Sequence, residues 1–307
     1  MAAANLPESE HPAPGLPPVT PPSGKFIAQL FLVPGAIVLI AVLLLLLFRS
    51  LVGGGFTADQ FLKQLDNPTP DIRWRGASDL AQVLKRPESQ ALKADATFAL
   101  DLAERLDQAL KDMREEEDNL FKQSANLPEK ERQRKWVKLR PQRDYVLFLA
   151  QALAEFPMAA AAPALADMAL REKSPNLKGN ALCRRGAVWA LGNLGAVLRD
   201  FSKLSAEQKE RAVAVLIAEQ SGSGARAAAA STALFYLDKT RLTEAQIKSV
   251  THVDDVLARC ARSDDRYLRA QVALACNFWD GPQIEPTLLL LARDDGHGEL
   301  IRIQEDE

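Results

Sequence analysis

The residue types best suited to catalysis or metal binding are few in this chain and widely separated. Its histidines and cysteines are His11, His252, His297, Cys183, Cys260 and Cys276. None of them lies in an HExxH or CxxC motif, which are the spacings that bring ligands or nucleophiles together. An odd number of cysteines without such spacing is typical of thiols buried in helices in a reducing compartment.

One local segment, Asp294-Asp295-Gly296-His297-Gly298, mixes carboxylates with an imidazole and could imitate a metal-binding loop. A turn between two helices explains the same residues, because no third or fourth ligand is placed by spacing. The chain contains no P-loop, no GxSxG and no dinucleotide-binding fingerprint. We therefore expect no enzyme, no metal site, no cofactor and no small-molecule substrate.

A basic stretch is the other feature with possible chemistry. Residues 130–143 carry seven basic residues and one acid around a tryptophan. The side chains that could contact an anionic surface are Lys130, Arg132, Arg134, Lys135, Trp136, Lys138 and Arg140. They could rest on lipid headgroups, or bind nucleic acid with Trp136 as a stacking surface. They could also form a solvated helix face that pairs with the acidic run Glu115–Asp118. The net charge of −2 gives no global field that would attract nucleic acid.

The first structural element that the sequence predicts is an apolar run near the N-terminus. Residues 26–48 are uncharged and almost wholly apolar, and at ~1.5 Å per residue a helix of this length crosses a ~30 Å hydrocarbon core. A cleaved signal peptide is the alternative. However, residues 1–24 contain no Lys or Arg, and the run ends in Leu47-Phe48-Arg49 rather than at a small-residue cleavage site. We expect a retained single-pass transmembrane helix.

The segments around this run differ in composition. Residues 1–25 contain seven prolines, so we expect a disordered or polyproline-like tail. Residues 49–56 include three consecutive glycines and predict a flexible linker. Only Lys25 is positive before the run, whereas four Lys or Arg residues follow it by residue 75. This bias favours a cell-membrane location with the C-terminal domain in the cytoplasm.

Beyond the linker the sequence predicts helix after helix and no strands, because apolar residues recur at three and four positions. Capping-box patterns predict helix starts at Thr57, Ser205 and Thr243. Residues 87–122 are expected to form one long helix, and residues 143–156 return to the core. Together residues 87–156 predict a long helical hairpin that is inserted into the domain and projects from it.

The remaining helices show an internal repeat. The first copy, residues 66–81, has a turn, an acidic residue, an arginine, small residues and then a leucine. Related segments follow at residues 178–194, 222–237 and 263–275, with a partial copy at 292–302. The Asp264-Asp265 and Asp294-Asp295 pairs lie thirty residues apart, a period typical of helical solenoids. The acid-to-arginine spacing predicts an ion pair within a helix turn or to the adjacent repeat. Leu80, Leu191 and Leu274 are expected to be buried where copies stack.

This pattern resembles the HEAT-repeat family, in which two antiparallel helices form each unit. The order of tail, anchor and repeats is also similar to single-pass membrane-anchored HEAT-repeat proteins of bacteria. The resemblance implies an all-α fold: a first helix pair at 57–86 and further HEAT-like repeats at 157–307, around the insertion. It also implies an α-solenoid scaffold or adaptor that binds a protein partner without catalysis. The alternative is a peripheral module that binds anionic lipid or nucleic acid through residues 130–143.

Overall fold

The computed structural model describes residues 32–44, 57–124, 127–172, 174 and 176–293 of the chain. All regular elements in these ranges are helices, which confirms the predicted all-α class. The chain divides into two compact units, Met1–Phe56 and Thr57–Glu307. In the second unit the α-helices are α2 Ala58–Leu65, α3 Pro70–Leu84, α4 Gln90–Lys93, α5 Ala96–Ser124, α6 Glu129–Val137, α7 Arg140–Leu153, α8 Ala162–Leu170, α9 Leu177–Leu198, α10 Ala206–Gln220, α11 Gly224–Asp238, α12 Glu244–Ser249, α13 Val253–Cys260, α14 Arg266–Cys276 and α15 Ile284–Ala292.

The first unit is described only for residues 32–44, which form the helix α1. Within the described ranges, no helix has both the length and the apolar character needed to cross a bilayer. The other residues of the predicted span 26–48 lie outside the described part of the chain. The predicted tail 1–25 and linker 49–56 lie outside it as well.

The three predicted helix starts are confirmed. Thr57, Ser205 and Thr243 are the N-caps of α2, α10 and α12, and each forms a complete capping box with the glutamine three residues later. In each box the hydroxyl accepts from the backbone N–H of the glutamine, and the glutamine side chain accepts from the N-cap backbone N–H. Two otherwise unpaired N–H groups are therefore satisfied at each of these helix starts.

Four helices lie side by side in one layer. α3 packs against α7, α7 against α9, and α9 against α14. Each of them also packs against one helix that precedes it in the chain, in the pairs α2·α3, α5·α7, α8·α9 and α13·α14. α5 contacts α8, and α8 contacts α13, so the preceding helices pack behind the layer. We call α3, α7, α9 and α14 the front layer.

The segment 87–156 contributes to this packing rather than only projecting from it, because α7 lies between α3 and α9. The long helix expected at 87–122 is divided. A 3-10 turn at Pro87–Ser89 and the short α4 come first, and α5 begins after Asp95, whose carboxylate accepts from the Phe98 N–H. The helix of the repeat-like segment 222–237, α11, packs instead on α5 and α8, and its partner α10 packs on α5.

Two of the three leucines expected in the core are buried. Leu80 and Leu191 are 0 % exposed, as predicted. The prediction for Leu274 is wrong, because 59 % of this side chain is exposed. Its neighbour Ala275 is the residue of α14 that meets α9, so Leu274 lies about 100° around the helix from that contact.

Candidate protein-binding face

The contact between α9 and α14 is close and parallel. A Cβ atom added to Gly192 would lie 3.2 Å from the Cα of Ala275, so the helices approach backbone to backbone here. Just after the end of α14, the indole Nε1 of Trp279 donates to the carbonyl oxygen of Leu191, the residue before Gly192, at 2.8 Å. Even the methyl group of an alanine at position 192 would require its neighbours to shift by a few tenths of an ångström, so glycine permits this close approach.

Asp265 fixes the start of α14 against α9. Its Oδ1 accepts from the backbone N–H of Tyr267 at 3.0 Å and of Leu268 at 3.3 Å, so it caps the helix. The guanidinium of Arg185 on α9 donates to both of its oxygens, from Nε to Oδ2 at 2.7 Å and from NH2 to Oδ1 at 2.9 Å. The sequence predicts an acid-to-arginine ion pair either within a helix turn or to the adjacent repeat. The pair of Asp265 with Arg185 is of the second kind, because it joins two adjacent helix pairs.

The electrostatics of Asp265 follow from these bonds. Burial acts to raise the pKa of its carboxyl, but the hydrogen bonds from Arg185 and from the backbone of Leu268 and Tyr267 outweigh burial. The pKa of Asp265 is therefore held below its ordinary value. The carboxylate is ionised at neutral pH and stabilises both the helix start and the interface.

Beside this contact, two rows of side chains run along the exposed side of α9 and α14. In α9 the row is Lys178, Leu182, Arg185 and Trp189; in α14 it is Tyr267, Gln271 and Leu274, and Phe278 follows two residues after the end of that helix. The spacing i, i+4, i+7 within each helix places these members on one face, and Trp189 continues the α9 row at i+11. The large apolar members are exposed: Leu182 48 %, Trp189 37 %, Tyr267 44 %, Leu274 59 % and Phe278 41 %. We call these five side chains the front face.

The front face lies on the side of the layer away from the preceding helices. α8 packs against α9 and α13 against α14, so the exposed sides of α9 and α14 point away from both. Tyr267, Leu274 and Phe278 are each followed by a buried residue. These buried residues are Leu268, Ala275 and Trp279. Single exposed apolar residues scattered over a surface are common and need no explanation. Several of them gathered in one place are typical of interaction sites.

Cations border the front face. The Arg185 guanidinium lies 4.6 Å from the centre of the Tyr267 ring, and the Lys85 ammonium lies 5.9 Å from the centre of the Trp189 ring. Lys178 is exposed at the beginning of the α9 row. Neither row contains a carboxylate. The front face is thus apolar and aromatic with a positive border.

The basic stretch predicted from the sequence lies elsewhere, on α6 and the start of α7. Lys130, Arg134, Lys138 and Arg140 are exposed, whereas Lys135 and Trp136 are half-buried. Arg132 belongs to α6, but its side chain is outside the described part of the chain. Arg140 lies 3.5 Å from the carboxylate of Asp144. No ion pair joins the described side chains of Lys130, Arg134 and Lys138 to an acid.

The acidic run Glu115–Asp118 was expected to pair with this basic stretch. One of its residues, Glu117, pairs with Arg171 instead. Glu117 is buried, and its Oε2 accepts from Arg171 at 2.7 Å and from the Ser174 hydroxyl at 3.0 Å. Glu117 therefore attaches the segment after α8 to α5. The cost of burying this side chain is offset because a guanidinium and a hydroxyl both bond to it.

The cysteines and the described histidine have structural environments. Cys183, Cys260 and Cys276 are buried free thiols, as predicted. Burial raises the pKa of Cys183 to about 12 and the pKa of Cys260 and Cys276 to about 11, so all three remain protonated at neutral pH. A ring nitrogen of His252 lies 3.3 Å from the Ile247 carbonyl oxygen.

Nowhere among the described residues do three or more His, Cys, Asp or Glu side chains come together in a way that could hold a metal ion. The segment Asp294–Gly298 lies outside the described part of the chain.

Sequence reasoning missed the front face, although its row spacing is visible in the sequence. The same spacing is produced by a buried stripe, as the wrong assignment of Leu274 shows. A further signal was available in α9, where Arg185 and Lys178 alternate with Leu182 and Trp189. A row of cations and large apolar residues is suited to a surface that contacts another molecule, because a core row would exclude the charges.

Comparison of the chain with models of known protein families gives no match, and comparison with curated proteins finds no similar sequence.

Proposed function

We propose that this chain is a non-catalytic α-solenoid scaffold, anchored in a membrane, that recruits a protein partner through the front face. The observation that carries the proposal is the exposure of five large apolar side chains on the closely packed helices α9 and α14 and directly after α14. Such a surface is costly to leave in water, at ~25 cal/mol per Å² of apolar area, so a protein that covers it gains binding energy.

The helix packing supports the solenoid part of the proposal. Successive helix pairs contact their neighbours through the front layer, and no pair buries its apolar side alone. The bond from Arg185 to Asp265 between adjacent pairs agrees with the HEAT-like contact that the sequence resemblance implies. The close contact of Gly192 with Ala275 fixes α9 against α14, and a preformed surface lowers the entropic cost of binding.

The apolar run 26–48 supports the membrane part. Its length suits a bilayer, and the excess of Lys and Arg after it favours a cytoplasmic domain. Protease added to right-side-out vesicles should then leave the domain from Thr57 onward intact. Digestion of that domain, or a mature N-terminus near Leu51, would refute this part.

The partner-binding part is tested by affinity capture from membranes solubilised in a non-ionic detergent. The full chain serves as bait beside two variants, Trp189→Ala and Leu274→Asp. Both changes are at exposed positions and should leave the helical circular dichroism unchanged. A partner that is retained by the full chain and lost from both variants supports the proposal. A partner that all three baits retain equally contradicts it.

Binding of anionic lipid by α6 remains a second candidate, favoured by the exposure of Lys130, Arg134 and Lys138 beside Val137, which is 66 % exposed. Each cation near an anionic surface contributes up to ~1 kcal/mol. The full chain in mixed micelles should then bind phosphatidylserine, and reversal of these three charges should abolish the binding. Equal binding by the charge-reversed variant would exclude this function.

A further inference from the structure

We infer that the partner of the front face is an acidic amphipathic helix. This inference rests on the proposed function and adds the chemistry of the partner to it. The shape of the site is the first reason. Two rows of exposed side chains lie next to each other on α9 and α14, and a third helix can pack along two such rows by placing its own apolar row between them.

Charge is the second reason. The cations at the border are Lys85, Lys178 and Arg185. Among the side chains that the structure describes, Arg185 pairs with the carboxylate of Asp265, and neither lysine pairs with an acid. Lys85 lies over the Trp189 ring, so its ammonium is held beside the apolar contact area. Neither row contains an acid, and the exposed acids Asp264 and Asp280 lie beyond the two ends of the row that begins at Tyr267. A basic helix would therefore be repelled by the lysines that border the α9 row, whereas glutamates beside an apolar row would meet Lys85 and Lys178.

The aromatic rings add to this preference. Arg185 covers one face of the Tyr267 ring and is already bonded to Asp265. The Lys85 ammonium lies over the Trp189 ring, so a carboxylate of the partner would meet a cation that is already placed beside an exposed aromatic side chain. Pre-oriented groups lose less entropy when they bind, which favours carboxylates at this border over uncharged polar groups.

The test measures fluorescence anisotropy of labelled synthetic helices with the full chain in a non-ionic detergent. One peptide has leucines at i, i+4, i+7 and i+11 flanked by glutamates. The second replaces each glutamate with lysine, and the third replaces each leucine with serine. We expect the glutamate peptide to bind about tenfold or more tightly than the lysine peptide at low salt, from two exposed charge pairs of up to ~1 kcal/mol each. The preference should fade at 1 M salt, where the Debye length falls to ~3 Å.

Variants of the chain complete the design. The double change Lys85→Glu and Lys178→Glu should reverse the preference between the first two peptides. The matched control, Lys130→Glu and Arg134→Glu, changes the same number of charges on α6 and should leave the preference intact. Loss of binding to the serine peptide would show that the leucines carry the contact.

Equal affinity for the glutamate and lysine peptides overturns the inference, as does a failure of both to bind. In either case the proposed function stands if Trp189→Ala and Leu274→Asp still lose the captured partner. It fails separately if they retain it. Self-association of the full chain that Trp189→Ala abolishes would assign the front face to a second copy and would also overturn the inference.

Discussion

Replacement of Asp265 by alanine should lower the free energy of unfolding of the domain, because it removes both a helix cap and an ion pair. Loss of the cap costs ~1 kcal/mol. The two hydrogen bonds from Arg185 contribute about 1.5 kcal/mol, at the lower end for bonds to charged groups because the Arg185 side chain is 34 % exposed. The sum is about 2.5 kcal/mol, which corresponds to a fall in the melting temperature of about 5–10 °C for a domain of this size.

The assay is urea unfolding followed by far-UV circular dichroism. Asp264→Ala is the matched control, since it removes the neighbouring exposed carboxylate and should change stability by less than ~0.5 kcal/mol. Asp265→Asn keeps an oxygen for the cap but loses the charge, so it should cost about half as much as the alanine variant. A double-mutant cycle with Arg185→Ala should give a coupling energy near 1 kcal/mol.

The sign of the pH dependence follows from the lowered pKa of Asp265. The unfolded chain holds this carboxyl at its ordinary pKa of ~3.9, so the stabilisation is fully present above that pH. It is lost as the pH falls through the lower, folded-state value. The stability gap between the natural chain and Asp265→Asn should therefore narrow below about pH 4. If Asp265→Ala costs no more than Asp264→Ala at neutral pH, the interface does not depend on this contact and the reasoning is refuted.

Three further changes test the packing. Gly195→Ala would place a Cβ 2.6 Å from Nε1 of Trp279, so it should separate α9 from α14 and cost about 1–3 kcal/mol in urea unfolding. Arg226 on α11 bonds to carboxylates on α5 and α10. Arg226→Ala should therefore speed amide hydrogen exchange in the α10–α11 hairpin while the amides of the front layer stay protected. Equal acceleration of exchange in both regions would contradict this prediction. Leu191→Asp should destabilise the domain by several kcal/mol, whereas Leu274→Asp should change its stability by less than ~0.5 kcal/mol; equal losses would place Leu274 in the core after all.

Local signals in the sequence were sufficient for the helices and several of their starts. The capping boxes at Thr57, Ser205 and Thr243 depend on residues three positions apart, so the sequence contains all the information needed to predict them. Burial of Leu80 and Leu191 follows from helical periodicity because both lie within apolar rows that neighbours cover.

The arrangement of the helices depends on contacts far apart in the chain, and these could not be predicted. Gly192 meets Ala275 and Trp279 bonds to Leu191, which are separated by more than eighty positions. The sequence predicts a buried Leu274 because the residues on its side of the helix repeat with the spacing of a buried stripe. Only the position of α9 shows that the side of α14 with Ala275 faces inward instead. The helix of residues 222–237 was grouped with the repeats for its arginine and alanines. Its arginine, Arg226, bonds instead to Asp101 and Glu219.

The most direct test of the central claim is site-specific photo-crosslinking in intact cells. A benzophenone amino acid at Leu274 places the probe on the front face, and one at Val137 places it on the equally exposed apolar position of α6. We expect a discrete protein adduct from Leu274 and none from Val137. An adduct at Val137 with none at Leu274 would contradict recruitment of a protein partner through the front face.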